Sequence, residues 1–136
     1  YVDSSGNETV QVNRADGLSI SEIKKWGIKQ MIISTEKNPV VSTRADKLGI
    51  PCLQGIDSKK DVLIDYCNIN NIDLCRVAYL GNDINDKEAL EIVGLKLCPA
   101  DAHDSIKAIS NYVLETKGGD GVIREFLDLI IYKKGQ

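Results

Sequence analysis

Val77-Ala-Tyr-Leu-Gly-Asn-Asp-Ile-Asn-Asp-Lys-Glu-Ala-Leu-Glu-Ile-Val-Gly-Leu-Lys-Leu-Cys98 is the stretch on which the fold turns. Val77–Leu80 is a short apolar run of the kind expected for a strand covered on both faces. A helix follows over Asp86–Val93 and a second apolar run over Leu95–Cys98. Strand, helix and strand in so short a span make a crossover unit, because parallel neighbours need a connection of a dozen or more residues and that connection is usually helical.

The same rhythm extends in both directions. Upstream, Met31–Ile33 is a strand candidate, and Asn38-Pro39 supplies a cap residue and an N1 proline to a helix running through Leu48. Cys52-Leu53 is a weaker strand, after which Ser58-x-x-Asp61 caps a helix with Val62, Leu63 and Tyr66 on one side. Earlier still, Ser19-x-x-Glu22 has the form of a capping box, and Leu18, Ile20, Ile23 and Trp26 form an apolar stripe ending at Gly27. Tyr1-Val2 and Thr9–Val12 flank a turn-rich Asp3–Asn7 and read as a β-hairpin. Downstream come a short helix over Ser105–Ser110, a strand over Tyr112–Leu114, a glycine-rich turn and a helix over Val122–Tyr132. The expected class is α/β, a doubly wound Rossmann-like parallel sheet with helices on both faces and an N-terminal β-hairpin. No repeat, low-complexity tract or linker interrupts residues 1–136, which read as one domain.

Composition agrees and excludes much else. The 136 residues are 43% apolar, too apolar for a disordered chain and enough for one core. With 17 Lys+Arg against 20 Asp+Glu the net charge is −3, and the lysines are scattered, so no basic field favours nucleic acid or an anionic membrane. No apolar run is long enough for a membrane span and no signal peptide is visible, which places the expectation in the cytoplasm. Cys52, Cys67, Cys75 and Cys98 contain no Cys-x-x-Cys pair, and His103 is the lone histidine. The cysteines read as buried free thiols and His103 as a structural or surface residue.

In doubly wound sheets ligands sit beyond the carboxyl ends of the strands. The residues there are Ser34-Thr-Glu-Lys37, then Lys59, then Gly81-Asn-Asp-Ile-Asn-Asp86. Hydroxyls and lysines stabilise phosphoryl oxygens, and an acidic turn suits Mg²⁺, so phosphate with a divalent cation fits the set best. Each member also has a plainer role: Ser34 and Thr35 as strand enders, Lys59 as a solvated first-turn lysine, Asn85 and Asp86 as helix caps. Three polar clusters at successive strand ends of one sheet are expected to converge.

The segments Ile33-Ser-Thr-Glu-Lys37, Gln54-Gly-Ile-Asp-Ser-Lys59, Ala78–Asp86, Pro99–His103 and Lys117–Glu125 occur in order and span essentially the whole chain. In them the chain resembles the small cap-less phosphatases of the haloacid dehalogenase superfamily, narrowly those acting on 3-deoxy-D-manno-octulosonate 8-phosphate and nonulosonate 9-phosphates. The resemblance implies that Ser34 binds the phosphoryl group and Lys59 neutralises it. It puts Mg²⁺ on the turn of Asn82, Asp83 and Asp86, where the usual acid after the glycine is Asn82. It makes Asn85 a substrate contact and places Arg14 and Asp16 in a segment lining the site. Glu36 and Lys37 fall where nonulosonate members read the sugar, Arg44 where such enzymes reach into a neighbouring subunit, and Arg124 where a glycine-rich segment (Gly118, Gly119, Gly121) closes over the site of a homotetramer.

Phosphatases of this superfamily attack phosphorus with the first Asp of an Asp-x-Asp motif on a strand upstream of the hairpin, and no such motif occurs in residues 1–136. The expectation is therefore a fragment or processed product lacking its first strand, the nucleophile lying upstream of Tyr1. An alternative of a different class is a catalytically inactive tetramerisation module, as in animal acylneuraminate cytidylyltransferases. Ser34, Lys59 and the Glu36-Lys37 pair favour the enzyme; Asn82 and the missing motif favour the module.

Overall fold

The computed structural model describes residues 14–117 and 121–134. The expected hairpin over residues 1–12, together with Gly118 and Gly119, lies outside the described residues. The chain divides into two compact units, residues 1–57 with 119–136, and Ser58–Gly118.

In the first unit, helix α1 (Arg14–Lys25) is followed by strand β1 (Ile32–Ile33), helix α2 (Val40–Leu48) and strand β2 (Cys52–Leu53), and helix α6 (Val122–Lys134) closes it. Strands β1 and β2 pair in parallel, Ile32 opposite Cys52, with α2 as their crossover. Ile20 and Ile23 of α1 are buried, as are Ala45 of α2 and Leu127 of α6, and α1 packs against both of those helices. The start of α2 accounts for its own donors. Asn38 Oδ1 accepts from Val40 N at 3.0 Å and Pro39 O from Thr43 N at 2.9 Å; Pro39, expected at N1, stands at the N-cap, and the side-chain acceptor comes from Asn38 one residue earlier. Gly49, left-handed at φ 72°, ends the helix by donating to Ala45 and Asp46 carbonyls.

The second unit runs helix α3 (Lys59–Ile69), strand β3 (Ala78–Leu80), helix α4 (Lys87–Ile92), strand β4 (Leu95–Cys98), helix α5 (Asp104–Ile109) and strand β5 (Tyr112–Val113). Its sheet is parallel, ordered β3-β4-β5. Leu90, Cys98, Ala102 and Ile106 form the buried cluster, with Tyr79 and Ile109 packed against it. Ser58 caps α3, its Oγ accepting from Asp61 N at 3.3 Å.

Class, order and parallel pairing follow the sequence reading, but among the described residues the strands form two hydrogen-bonded sheets instead of the single one expected. The strands are only two to four residues long, so each ladder holds few bonds. Of the four thiols, all free, Cys67 and Cys98 are buried as expected, whereas Cys52 is half-buried and Cys75, in a single 3₁₀ turn over Leu74–Arg76 capped by Asp73, is exposed.

Gly94, which joins α4 to β4, donates to Leu74 O at 3.0 Å and runs against the Cys75 backbone so closely that a Cβ would collide with the Cys75 carbonyl. Gly94→Ala is therefore expected to lower stability by about 1–3 kcal/mol or more. Urea denaturation followed by circular dichroism checks this; an unchanged midpoint refutes the close approach.

Candidate active site

The turn after β3 is built around one carboxylate. Asp86 closes a 3₁₀ turn over Ile84–Asp86, a tighter coil than an α-helix, which turns its side chain inward while Asn82, Asp83, Ile84 and Asn85 stay exposed. Oδ1 of Asp86 accepts from Lys59 Nζ and from the Tyr79 hydroxyl, both at 2.7 Å. Oδ2 accepts the backbone amides of Asn82 at 3.0 Å and Asp83 at 3.3 Å. The Lys59 and Asp86 side chains are 10% and 5% exposed, so this is a buried ion pair and its partners depend on one another. Gly81 is required here, since a Cβ would stand 2.7 Å from Asp86 Cβ.

Burial alone pushes the Asp86 carboxyl up. Hydrogen bonds from Lys59 and Tyr79, then the Lys59 charge and the Asn82 amide, outweigh that, and the net result lies below the ordinary carboxylate value. Burial, the Asp86 charge and the hydrogen bond to Asp86 push the Tyr79 phenol well up, so it stays a neutral donor. Among the described residues Lys59 bonds only to Asp86, leaving two of its three ammonium protons for an anion.

In the first unit, the loop after β1 holds the other predicted residues. Ser34 Oγ accepts from Glu36 N at 3.1 Å, which leaves the hydroxyl proton to donate. Glu36 is turned onto its own loop, Oε1 accepting from Lys37 N at 3.0 Å and Asn38 N at 2.8 Å, while Lys37 is exposed. Arg44 of α2 is half-buried, and its Nε is buried with no hydrogen-bond partner among the described residues. Arg124 is exposed and pairs with Asp128 at 3.2 Å. Arg14 and Asp16 stand in the first turn of α1, and their side chains lie outside the described residues.

The structure thus brings Lys59 onto the 81–86 turn and gathers Ser34, Glu36 and Lys37 in one loop. Asp86, expected as a metal ligand, is engaged instead by four donors, which is about the full complement of a carboxylate. Asp83 keeps a carboxylate at the surface, with Oδ1 accepting from Ile84 N at 2.7 Å, and Asn82 keeps an exposed carboxamide. Mg²⁺ is commonly held through one or two carboxylates with water and substrate phosphate, and Asp83 with Asn82 fits such a partial set. Among the described residues no three His, Cys, Asp or Glu side chains gather around a metal position. No helix among them is long and apolar enough to cross a membrane.

Two residues escape sequence reading. Tyr79 reads as a strand residue, although a tyrosine in a buried apolar run needs a partner for its hydroxyl. Gln54 opens one of the family-like segments but is given no role there, yet its side chain bonds three backbone groups. His103 is structural as expected, in a specific way: Nδ1 accepts from Ser105 N at 3.1 Å to cap α5, and its backbone N donates to Asn82 O at 3.0 Å.

Residues 53–126 match the haloacid dehalogenase-like hydrolase family. The chain is 34% identical over 137 residues to the 3-deoxy-D-manno-octulosonate 8-phosphate phosphatase of Escherichia coli, covering 100% of this chain and 73% of that protein. It is 32% identical over 138 residues to an N-acylneuraminate cytidylyltransferase of Danio rerio, covering 98% of this chain but spanning only 32% of that relative. Among solved structures, the 3-deoxy-D-manno-octulosonate 8-phosphate phosphatase of Moraxella catarrhalis, in complex with magnesium, phosphate and the sugar acid, superposes with a TM-score of 0.89 at 32% identity. That match covers 97% of this chain and 72% of the other.

A lowered carboxyl pKa contributes stability above the unfolded value of about 3.9 and loses it as pH falls through the folded value. Asp86→Asn, which strands the Lys59 charge, is expected to cost about 3–5 kcal/mol at pH 7. The gap to the unsubstituted protein narrows as pH falls below about 4. Urea midpoints from pH 7 to pH 3 measure it; a gap independent of pH contradicts the ion pair.

Proposed function

Because the chain belongs to the haloacid dehalogenase-like hydrolases, of the type represented by the 3-deoxy-D-manno-octulosonate 8-phosphate phosphatases, we propose that the protein hydrolyses the phosphate monoester of a 2-keto-3-deoxy sugar acid, an octulosonate 8-phosphate or a nonulosonate 9-phosphate. The observation that carries this reading is Lys59, buried, charged, fixed by Asp86 and keeping two donors for phosphoryl oxygens.

In this reading Lys59 and the Ser34 hydroxyl bind the phosphoryl group and hold it through the change in charge at phosphorus. Asn82 and Asp83 hold Mg²⁺, which supplies neutralisation of phosphoryl charge when bound. Asp86 keeps the lysine in place. Lys37, Glu36, Asn85, Arg14, Asp16, Arg44 and Arg124 contribute to sugar recognition, Glu36 through the shape it gives its loop. The first aspartate of an Asp-x-Asp motif attacks phosphorus, the ester P–O bond breaks, and the leaving alkoxide takes its proton from the second aspartate of that motif, which recovers it from the attacking water. Water then hydrolyses the aspartyl-phosphate to inorganic phosphate. That nucleophile is not assigned to residues 1–136. The assembly proposed is a homotetramer in the cytoplasm.

A second reading, a non-catalytic tetramerisation module, is favoured by the match to the cytidylyltransferase over 98% of the chain and by the uncharged Asn82.

The complete protein with Mg²⁺ and a panel of sugar phosphates is expected to release phosphate from a 2-keto-3-deoxy sugar acid phosphate and to stop when the metal is chelated. Lys59→Ala is expected to reduce kcat/KM by about 10²–10³, some 2.7–4 kcal/mol, as for loss of one preorganised donor. Release from no member of the panel by a folded tetramer would favour the second reading.

A further inference from the structure

Gln54 follows β2 directly and is half-buried. Its Nε2 donates to two carbonyls of the loop after β1, Asn38 O at 3.1 Å and Glu36 O at 3.4 Å. Its Oε1 accepts from Ser42 N at 3.0 Å, one of the first amides of α2, which have no partner within the helix. One carboxamide therefore ties the end of β2, the turn carrying Ser34–Asn38 and the first turn of α2. Around it the backbone repeats the linkage: Ser34 N donates to Leu53 O, Gly55 N to Glu36 O and Ile56 N to Ser34 O. The side-chain chemistry is specific. Only a carboxamide of this length carries two donors for the two carbonyls and an acceptor for the amide; a carboxylate meets the carbonyls with like partial charge, and an alanine leaves the Ser42 amide without its acceptor while Glu36 O and Asn38 O keep only their backbone donors, Gly55 N and Val41 N.

We propose that Gln54 is the positioning residue of the substrate loop, setting where the Ser34 hydroxyl and the Lys37 ammonium stand without itself touching the ligand. The proposal rests on the phosphatase reading for its kinetic consequence and on the loop geometry for its physical one. Ser34 and Lys37 are proposed to hold the substrate in the ground state as well as in the transition state, so loosening their loop weakens uniform binding and moves KM more than kcat.

The test compares Gln54→Ala and the near-isosteric Gln54→Glu in the complete protein. Both are expected to raise KM about tenfold, the size of one or two lost hydrogen bonds, with kcat changed less than about threefold. Amide exchange at Lys37, Asn38 and Ser42 is expected to rise about tenfold or more, with Ala45 unaffected. Loss of kcat or of folded protein in both variants without a rise in KM assigns Gln54 a merely structural role and overturns the proposal. If the unsubstituted protein hydrolyses none of the sugar phosphates, the phosphatase reading falls, and exchange alone decides the positioning role: acceleration confined to the loop upholds it, and unchanged exchange overturns it.

Discussion

The Asp86 carboxylate is the constraint from which the Ser58–Gly118 unit takes its form. It joins the first residue of α3, the middle of β3 and two amides of the turn between β3 and α4, four donors on two oxygens. A charge buried to this degree is tolerable only with its partners in place, so each local feature follows from it. Gly81 must lack a side chain to let the carboxylate pass, Tyr79 must keep its proton, and Lys59 cannot swing to solvent without stranding a buried anion. The interaction adds little net stability over an apolar packing of the same volume. Its effect is to hold a cation at one place.

Most of the architecture was legible because buried strands and amphipathic helices have different periods, and because Asn38 and Ser58 mark helix starts by local chemistry. The site was less legible. Asn82, Asp83, Asn85 and Asp86 are interchangeable by composition, and which of them faces inward depends on a 3₁₀ turn that leaves no periodic signature. Glu36 was visible as a charge, but that its carboxylate is occupied by Lys37 N and Asn38 N depends on a turn geometry found only in the folded loop. Tyr79 and Gln54 were missed for a related reason: neither residue type in isolation announces what it bonds.

The two polar clusters solve the same problem differently. Around Asp86 a buried charge does the fixing. In the loop after β1 the fixing is done by neutral backbone bonds and a carboxamide, and the charged Lys37 is left exposed. The amides that open α2 are consumed by Asn38, Pro39 and Gln54, so an anion bound to this loop is met by side chains and not by the helix end. Recognition placed on side chains varies with sequence while the loop's shape is retained.

The register of the two sheets bears on how the chain assembles. Ile32 meets Cys52, Ala78 meets Leu95 and Leu97 meets Tyr112, so among the described residues each strand pairing joins segments separated by a single α-helix. Parallel sheets are usually slow to form because distant segments must find each other first. Here each pairing closes a short loop at a modest entropic cost, and each is available as soon as its own helix has been synthesised. Within each sheet, growth from the ribosome can therefore proceed one crossover at a time, β1 serving as the template for β2, β3 for β4 and β4 for β5.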